Sequence, residues 1–197
     1  MTEQQWDKKL KISTMGRNDF HADEYHHPYE PTPYCVLERL AESGYISKDN
    51  IVIDYGCGKG RVGFFLNHEV GCRVIGVEYN ERIFRQALEN LRAYQGVAKS
   101  TPEFICADAE DFCVEDADSF YFFNPFSLEI LQSVFGKILD SYYGKPRTMQ
   151  LFFYYPEEEY IGWLMVQKQL LFIDEIECED LFEGENKRER ILIFEVV

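Results

Sequence analysis

No apolar run in this 197-residue chain reaches the roughly 18 residues needed to span a membrane. The opening stretch, MTEQQWDKKLKISTMGRNDF, lacks the apolar centre of a secretory signal, so the chain reads as a cytosolic protein. The six cysteines (Cys35, Cys57, Cys72, Cys106, Cys113 and Cys178) form no C-x-x-C pair, and no histidine stands at metal-ligand spacing from them. Zinc and redox chemistry are therefore disfavoured, and reduced, mostly buried thiols are expected. The adjacent His26 and His27 lie in a Pro- and Tyr-rich stretch and read as surface or rim groups, so no metal is expected. Basic residues are few: 20 Lys and Arg against 35 Asp and Glu, a net charge of −15. They are also scattered, apart from NKRER (186–190), where acid interrupts them. Duplex or long RNA binding needs clustered cations, so a nucleic-acid partner is disfavoured. A small molecule or a basic protein suits such a surface, unless the acid is only a solubility coat.

What is present is aromatic. Sixteen Phe and 13 Tyr, in a composition that is otherwise ordinary for a globular protein, imply an aromatic-rich core or pocket. From about residue 50 the chain alternates short β-branched or aromatic runs with helical patterns. NIVIDYG reads as a strand and RVGFFLNHE as a helix; CRVIGVEY is the next strand. In ERIFRQALENLRAYQG, residues Ile83, Ala87, Leu88 and Leu91 share one helical face, and Gly96 stands where a C-terminal cap belongs. PEFICAD and SFYFFNPF read as a third and fourth strand, LEILQSVFGKILDSYYG as a helix closed by Gly144, TMQLFFYYP as a fifth strand and EEEYIGWLMV as a helix. The last two strand-like segments, QKQLLFIDEIECEDLF and RERILIFEVV, are joined by EGENK, too short for a crossover helix, which implies an antiparallel hairpin. Five β-α units and a hairpin describe an α/β fold: an open, mostly parallel seven-stranded sheet with helices on both faces and an antiparallel terminal hairpin strand. Residues 36–197 are expected to form a single domain. Residues 1–35 form a lead-in segment, with a helix from Pro33 to Ser43.

Ligands of such sheets bind beyond the carboxyl ends of the strands, near the point where strand order reverses. There the first strand runs into Gly56, Gly58 and Gly60, which let the backbone approach a ligand closely. The spacing is not the dinucleotide fingerprint, which wants glycine where Arg61 stands. Nor is it a phosphate loop, since Gly60 and not Ser or Thr follows Lys59. Glu78 ends the second strand, roughly twenty residues on, where an acid accepts hydrogen bonds from both hydroxyls of a ribose. Asp108 ends the third, in reach of an adenine amino group. The plainer reading of each acid is a cap on the following helix.

The runs VIDYGCGKGR, VIGVEYN, CADAEDF and FFNPF, taken together, resemble the class I seven-strand methyltransferases that use S-adenosylmethionine. The resemblance covers residues 50–197. Within that class the D-x-G-x-G-K-G-R turn and the N-P-F motif are similar to a group of poorly characterised bacterial enzymes, with some likeness to protein-lysine methyltransferases. The resemblance implies that Asp54, Gly56, Cys57, Gly58 and Gly60 line the methionine half of the cofactor. It also implies that Glu78 holds the ribose, that Tyr79 flanks the adenine face, and that Asp108 and Ala109 border the adenine. Asn124, Pro125 and Phe126 stand where amine-methylating members carry Asn or Asp, two prolines and an aromatic, and so take the catalytic positions. The second proline is missing here, which leaves an aliphatic amine open beside a planar one. Asn-Pro is also an ordinary turn signal. Lys59 and Arg61 receive no catalytic part. Upstream, YHHPYEPTPY (25–34) is expected to fold over the cofactor, with Tyr29, Glu30 and Thr32 as candidates for the methionine carboxylate; its plainer reading is an entry loop on the sheet edge. The implied activity is methyl transfer to a nitrogen of a protein side chain or small molecule. The rivals are a cofactor-binding module or partner subunit without chemistry of its own and, third, a nicotinamide oxidoreductase.

Overall fold

A computed structural model describes residues 1–16, 29–96 and 101–197; His26 and His27 lie outside them. The elements run α1 (Glu3–Leu10), α2 (Tyr34–Glu42), β1 (Ile51–Tyr55), α3 (Arg61–Glu69), β2 (Arg73–Glu78), α4 (Glu81–Ala93), β3 (Glu103–Cys106), β4 (Ser119–Phe122), α5 (Leu128–Gly144), β5 (Gln150–Tyr154), α6 (Glu158–Leu164), β6 (Leu170–Glu177) and β7 (Arg190–Val196). The strands form one seven-stranded sheet in the order β3-β2-β1-β4-β5-β7-β6. β1 to β5 are parallel, and β7 enters antiparallel between β5 and β6. No helix among the described residues is long and apolar enough to cross a membrane.

The inner strands are apolar along their whole length because both sheet faces are covered. On one face Val52, Val74, Tyr121, Phe152 and Ile193 pack with Trp6, Leu37 and Phe65 from α1, α2 and α3. On the other, Ile53, Val77, Phe120, Phe122, Phe153 and Leu192 meet α5 and α6. In α5 the buried residues Ile130, Leu131, Val134, Phe135 and Ile138 form one stripe at helical spacing.

Three local features differ from the sequence reading. First, α1 closes the near face where no helix was expected. Thr2 and Gln5 form a reciprocal capping box, and Trp6 and Leu10 are buried. Trp6 stands edge-on to Phe65 at 4.9 Å, so part of the lead-in belongs to the core. Second, residues 107–118 link β3 to β4 by turns alone, leaving four helical crossovers or connections after strands where five were expected. Third, α4 ends at Ala93, and Gly96 is not its cap. Tyr94 leaves helical geometry to bury its ring 4.8 Å from Phe64, and its hydroxyl lies 2.9 Å from Asn67 Oδ1. Aromatic burial stops this helix before the glycine is reached.

If α1 is core, Trp6→Ala should lower the unfolding free energy in urea by about 3–5 kcal/mol. A loss below about 1 kcal/mol would show that the helix only rests on the surface.

Candidate functional site

Strand order reverses between β1 and β4, and the loops at their carboxyl ends open a cavity of about 1000 Å³, counting its mouth. Residues 54–57 from β1, 77–80 from β2 and 123–126 from β4 supply three walls. Residues 29–32 of the lead-in supply a fourth, and Arg61 reaches in from the start of α3.

The glycine turn is tied to β2: the N–H groups of Gly56 and Cys57 both donate to the Val77 carbonyl, at 2.9 and 3.0 Å. Gly56 has φ +72°, and a Cβ there would sit 2.5 Å from Cβ of Pro125. The turn after β1 thus lies directly against the Asn-Pro-Phe turn after β4. At Gly58 (φ +55°) a Cβ would run into the Tyr29 ring. Side chains are excluded at residues 56 and 58 by those two neighbours. Gly58 and Gly60, which the resemblance sets along the methionine half of the cofactor, are not among the lining residues: a Cβ at Gly58 would meet the Tyr29 ring, and one at Gly60 would meet Phe104 and Phe64. Gly56 and Cys57 do line it.

Glu78 is held by the same turn. Its Oε2 accepts from the Gly58 N–H at 2.9 Å and its Oε1 from the Asn80 N–H at 2.7 Å. Asp54 is 3% exposed, and its Oδ2 finds no hydrogen-bond partner. Burial, and after it the charge of Glu78, hold its carboxyl well above the usual carboxylate range. Tyr79 stands 54% exposed at the rim. Ala109 lines the cavity with Ala107, whereas Asp108 does not; its Oδ1 accepts from the Glu110 N–H at 2.9 Å, which makes it a turn residue here.

On the β4 side, Asn124 (φ +40°) and Tyr155 (φ +50°) are two of three non-glycine residues with positive φ among those described. Such strain persists only where surroundings over-determine it. Asn124 Nδ2 donates to the Tyr155 carbonyl at 2.8 Å, and the Glu157 N–H donates to Asn124 Oδ1 at 3.3 Å. The amide therefore ties the ends of β4 and β5 together and keeps one lone pair on Oδ1. Asn186 Nδ2 reaches the Tyr155 hydroxyl at 3.0 Å, and the Arg188 guanidinium stacks 4.3 Å from the Tyr155 ring, so the hairpin braces the pair. Phe126 is buried against Tyr55 and Phe122, and its carbonyl accepts from the Tyr160 hydroxyl.

In the lead-in, the Tyr29 hydroxyl donates to the Thr14 carbonyl at 2.6 Å, and Thr32 Oγ1 lies 3.1 Å from the Tyr121 hydroxyl. Tyr29, Glu30 and Thr32 all line the cavity. Sequence reasoning missed Tyr121 and Phe123 as lining residues and left Arg61 without a role. Tyr121 lies in β4 and Phe123 just beyond it, in an apolar run that looked like core. Arg61 is assembled from partners far away in the chain, for which no local signal exists.

Residues 52–141 match the methyltransferase domain family. A protein-lysine N-methyltransferase from Saccharolobus islandicus is 40% identical over 67 residues, 34% of this chain and 42% of that protein. A carboxy-S-adenosyl-L-methionine synthase from Shewanella woodyi is 29% identical over 87 residues, 42% of this chain and 35% of that protein. The matched stretch thus spans less than half the length of each of these relatives. Among solved structures, a glycopeptide N-methyltransferase superposes with a TM-score of 0.63 at 12% identity, covering 91% of this chain and 93% of that one. A tRNA (uracil-54, C5)-methyltransferase from Pyrococcus abyssi, in complex with S-adenosyl-L-homocysteine, gives 0.56 at 16% identity, covering 86% and 40%. The chain therefore has the methyltransferase fold, and the segment that matches the methyltransferase domain runs from β1 into the last turn of α5.

Proposed function

We propose that the protein is an S-adenosylmethionine-dependent methyltransferase acting on a nitrogen acceptor, of a protein side chain or a small molecule. The observation that carries this reading is the buried carboxyl of Asp54, whose Oδ2 has no hydrogen-bond partner, beside Glu78 in a cavity that the Asn-Pro-Phe turn also lines. A buried carboxylate without a partner calls for a cation. The cofactor meets that demand with an ammonium and a sulfonium, whereas the pyrophosphate of a nicotinamide dinucleotide would be repelled by both acids. The residues present fit the group: Asp54 would take the ammonium, Glu78 the ribose hydroxyls, Tyr79 the rim beside the adenine, with Ala109 behind it.

When bound, the cofactor supplies an electrophilic methyl group on a sulfonium. The chain's own contribution is position. Contact between Gly56 and Pro125 sets the acceptor turn against the cofactor turn, and the link from Asn124 to Tyr155 fixes how that turn faces the cavity. In-line displacement gains much of its rate from such placement. Asn124 and Pro125 would orient the nitrogen, with Phe126 as the buried wall behind them. The faces of Tyr121 and Phe123 give a cationic amine a surface to dock on before it loses its proton. Burial pushes the Tyr29 and Tyr121 hydroxyls up and keeps them protonated, so neither stands ready to take that proton. A lysine side chain suits this arrangement. The net charge of −15 and the likeness to a protein-lysine N-methyltransferase support a basic protein as its source.

Transfer of labelled methyl from S-adenosylmethionine to lysine-rich proteins and to small amines tests the reading; no labelled product from either class would remove it. Glu78→Ala should weaken cofactor binding about tenfold or more by calorimetry. Asn124→Ala should leave binding intact and cut turnover by about 10²-fold, the scale of a 1 Å misplacement; full activity would reduce Asn-Pro-Phe to a turn.

Asp54 carries a separate prediction. Its folded pKa is raised, so the folded state binds the proton more tightly than the unfolded one. The penalty is absent at low pH, grows as pH rises toward the folded pKa, and is complete above it. Asp54→Asn should therefore stabilise the ligand-free protein near pH 7 by about 1 kcal/mol or more and weaken cofactor binding. A variant less stable than the wild type at neutral pH would contradict the unpaired-charge assignment.

A further inference from the structure

We propose that the α5 side of strands β1, β2 and β3 docks an amphipathic helix of a partner protein, one whose aliphatic stripe is flanked by lysine or arginine. The inference is independent of the cofactor reading. Strands β1, β2, β4 and β5 each lead into a helix before the next strand, and β3 does not. On the α5 side, α5 and α6 pack with residues of β4, β5 and β7. Beside them the turn segment 107–118 is the cover, and it leaves a hollow of about 630 Å³, counting its mouth. Ile51 and Ile53 of β1, Ile75 of β2 and Ile105 of β3 form the floor, because alternate residues of a strand share a face. Phe104, next to Ile105, packs 5.0 Å from Phe64 of α3 on the opposite side, which fixes the direction of Ile105.

Ile105 is 36% exposed, and Ile51 and Ile75 are half-buried. The uncovered width suits one helix: about 10 Å across, it spans two strand spacings. An aliphatic sheet face that its own chain leaves open is a surface for another element. The rim selects which. Glu103, Glu115 and Asp116 stand on the walls of the hollow against one cation, Arg73, and Glu110 and Asp111 are exposed on the same turn segment. Arg73 is already paired with Glu103 at 3.0 Å, so acid is in excess at the mouth. An acidic rim disfavours a second copy of this chain, whose net charge is −15, and an anionic surface of any kind. It favours a helix that lays apolar anchors on the isoleucines and sets its cations beside them.

The probe is a synthetic helix of about 14 residues, about four turns, with leucine along one stripe and lysine elsewhere. Its counterpart carries glutamate in place of lysine. In calorimetric titration of the full chain, the lysine helix should bind at one site and at least about tenfold more tightly than the glutamate helix. Ile105→Gln, checked for folding by its thermal midpoint, should weaken that binding at least about fivefold. Footprinting of the wild type reads the same contact without a variant, and decides alone if Ile105→Gln fails to fold. The bound helix should slow alkylation of Cys113, exposed on the wall of the hollow, about threefold or more. Cys106, exposed on the other side of β3, should keep its rate. Absence of binding overturns the proposal, as does binding that Ile105→Gln does not weaken or that leaves Cys113 unshielded. A dimer in sedimentation that Ile105→Gln dissolves also overturns it, since the face then belongs to a second copy.

Discussion

The close approach of the β1 turn to the β4 turn, with Gly56 against Pro125, is the constraint on which the rest of the site depends. A Cβ at residue 56 would collide with that ring, and the backbone at φ +72° would be strained in any residue that carried one. Because the turns touch, the wall facing the glycines and the wall carrying Asn124 enclose one cavity instead of two. The same turn hands one N–H to Glu78 and two to the Val77 carbonyl, so the ends of β1, β2 and β4 are set by a single piece of backbone. Rigid strands supply the frame, and this contact fixes the distance between the wall carrying Glu78 and the wall carrying Asn124.

The site is held together at some cost to stability. Asp54 and Arg61 are both buried with a polar atom unsatisfied. Asn124 and Tyr155 sit at positive φ without being glycine. Sites that must bind or position something are where such local conflicts with folding collect. Asp54, Arg61 and Asn124 line one cavity, while the sheet beneath carries a densely aromatic core, with Phe122, Phe153 and Tyr55 on one face stacked at 4.7 to 5.2 Å between ring centres. The abundance of Phe and Tyr in the composition is mostly spent there, in stabilising the platform.

Strand and helix periodicity made most of the fold legible in the sequence, because continuous apolar strands between amphipathic helices leave few arrangements open. The hairpin followed from a link too short to cross over. Elements escaped where the deciding contact is distant. α1 depends on Trp6 finding Phe65, and the end of α4 depends on Tyr94 finding Phe64. That Gly56, Cys57, Glu78 and the residues from Asn124 to Phe126 gather at one cavity was legible because they sit in contiguous motifs at strand ends. Gly58 and Gly60 do not line the cavity, for a physical reason. A glycine in a motif signals close approach without saying to what, and here the approach is to Tyr29 and Phe104. Arg61 could not be read at all, since Glu3, Thr14 and Thr32 converge on it only in the folded chain.

The central claim is that this cavity binds a sulfonium nucleoside. Its most direct test is the calorimetric titration of the purified wild type with S-adenosylmethionine and S-adenosylhomocysteine, with NADH as a control. The account predicts micromolar binding of the first two, at one site per chain, and none of the third. Binding of NADH alone, or of no ligand, would contradict it.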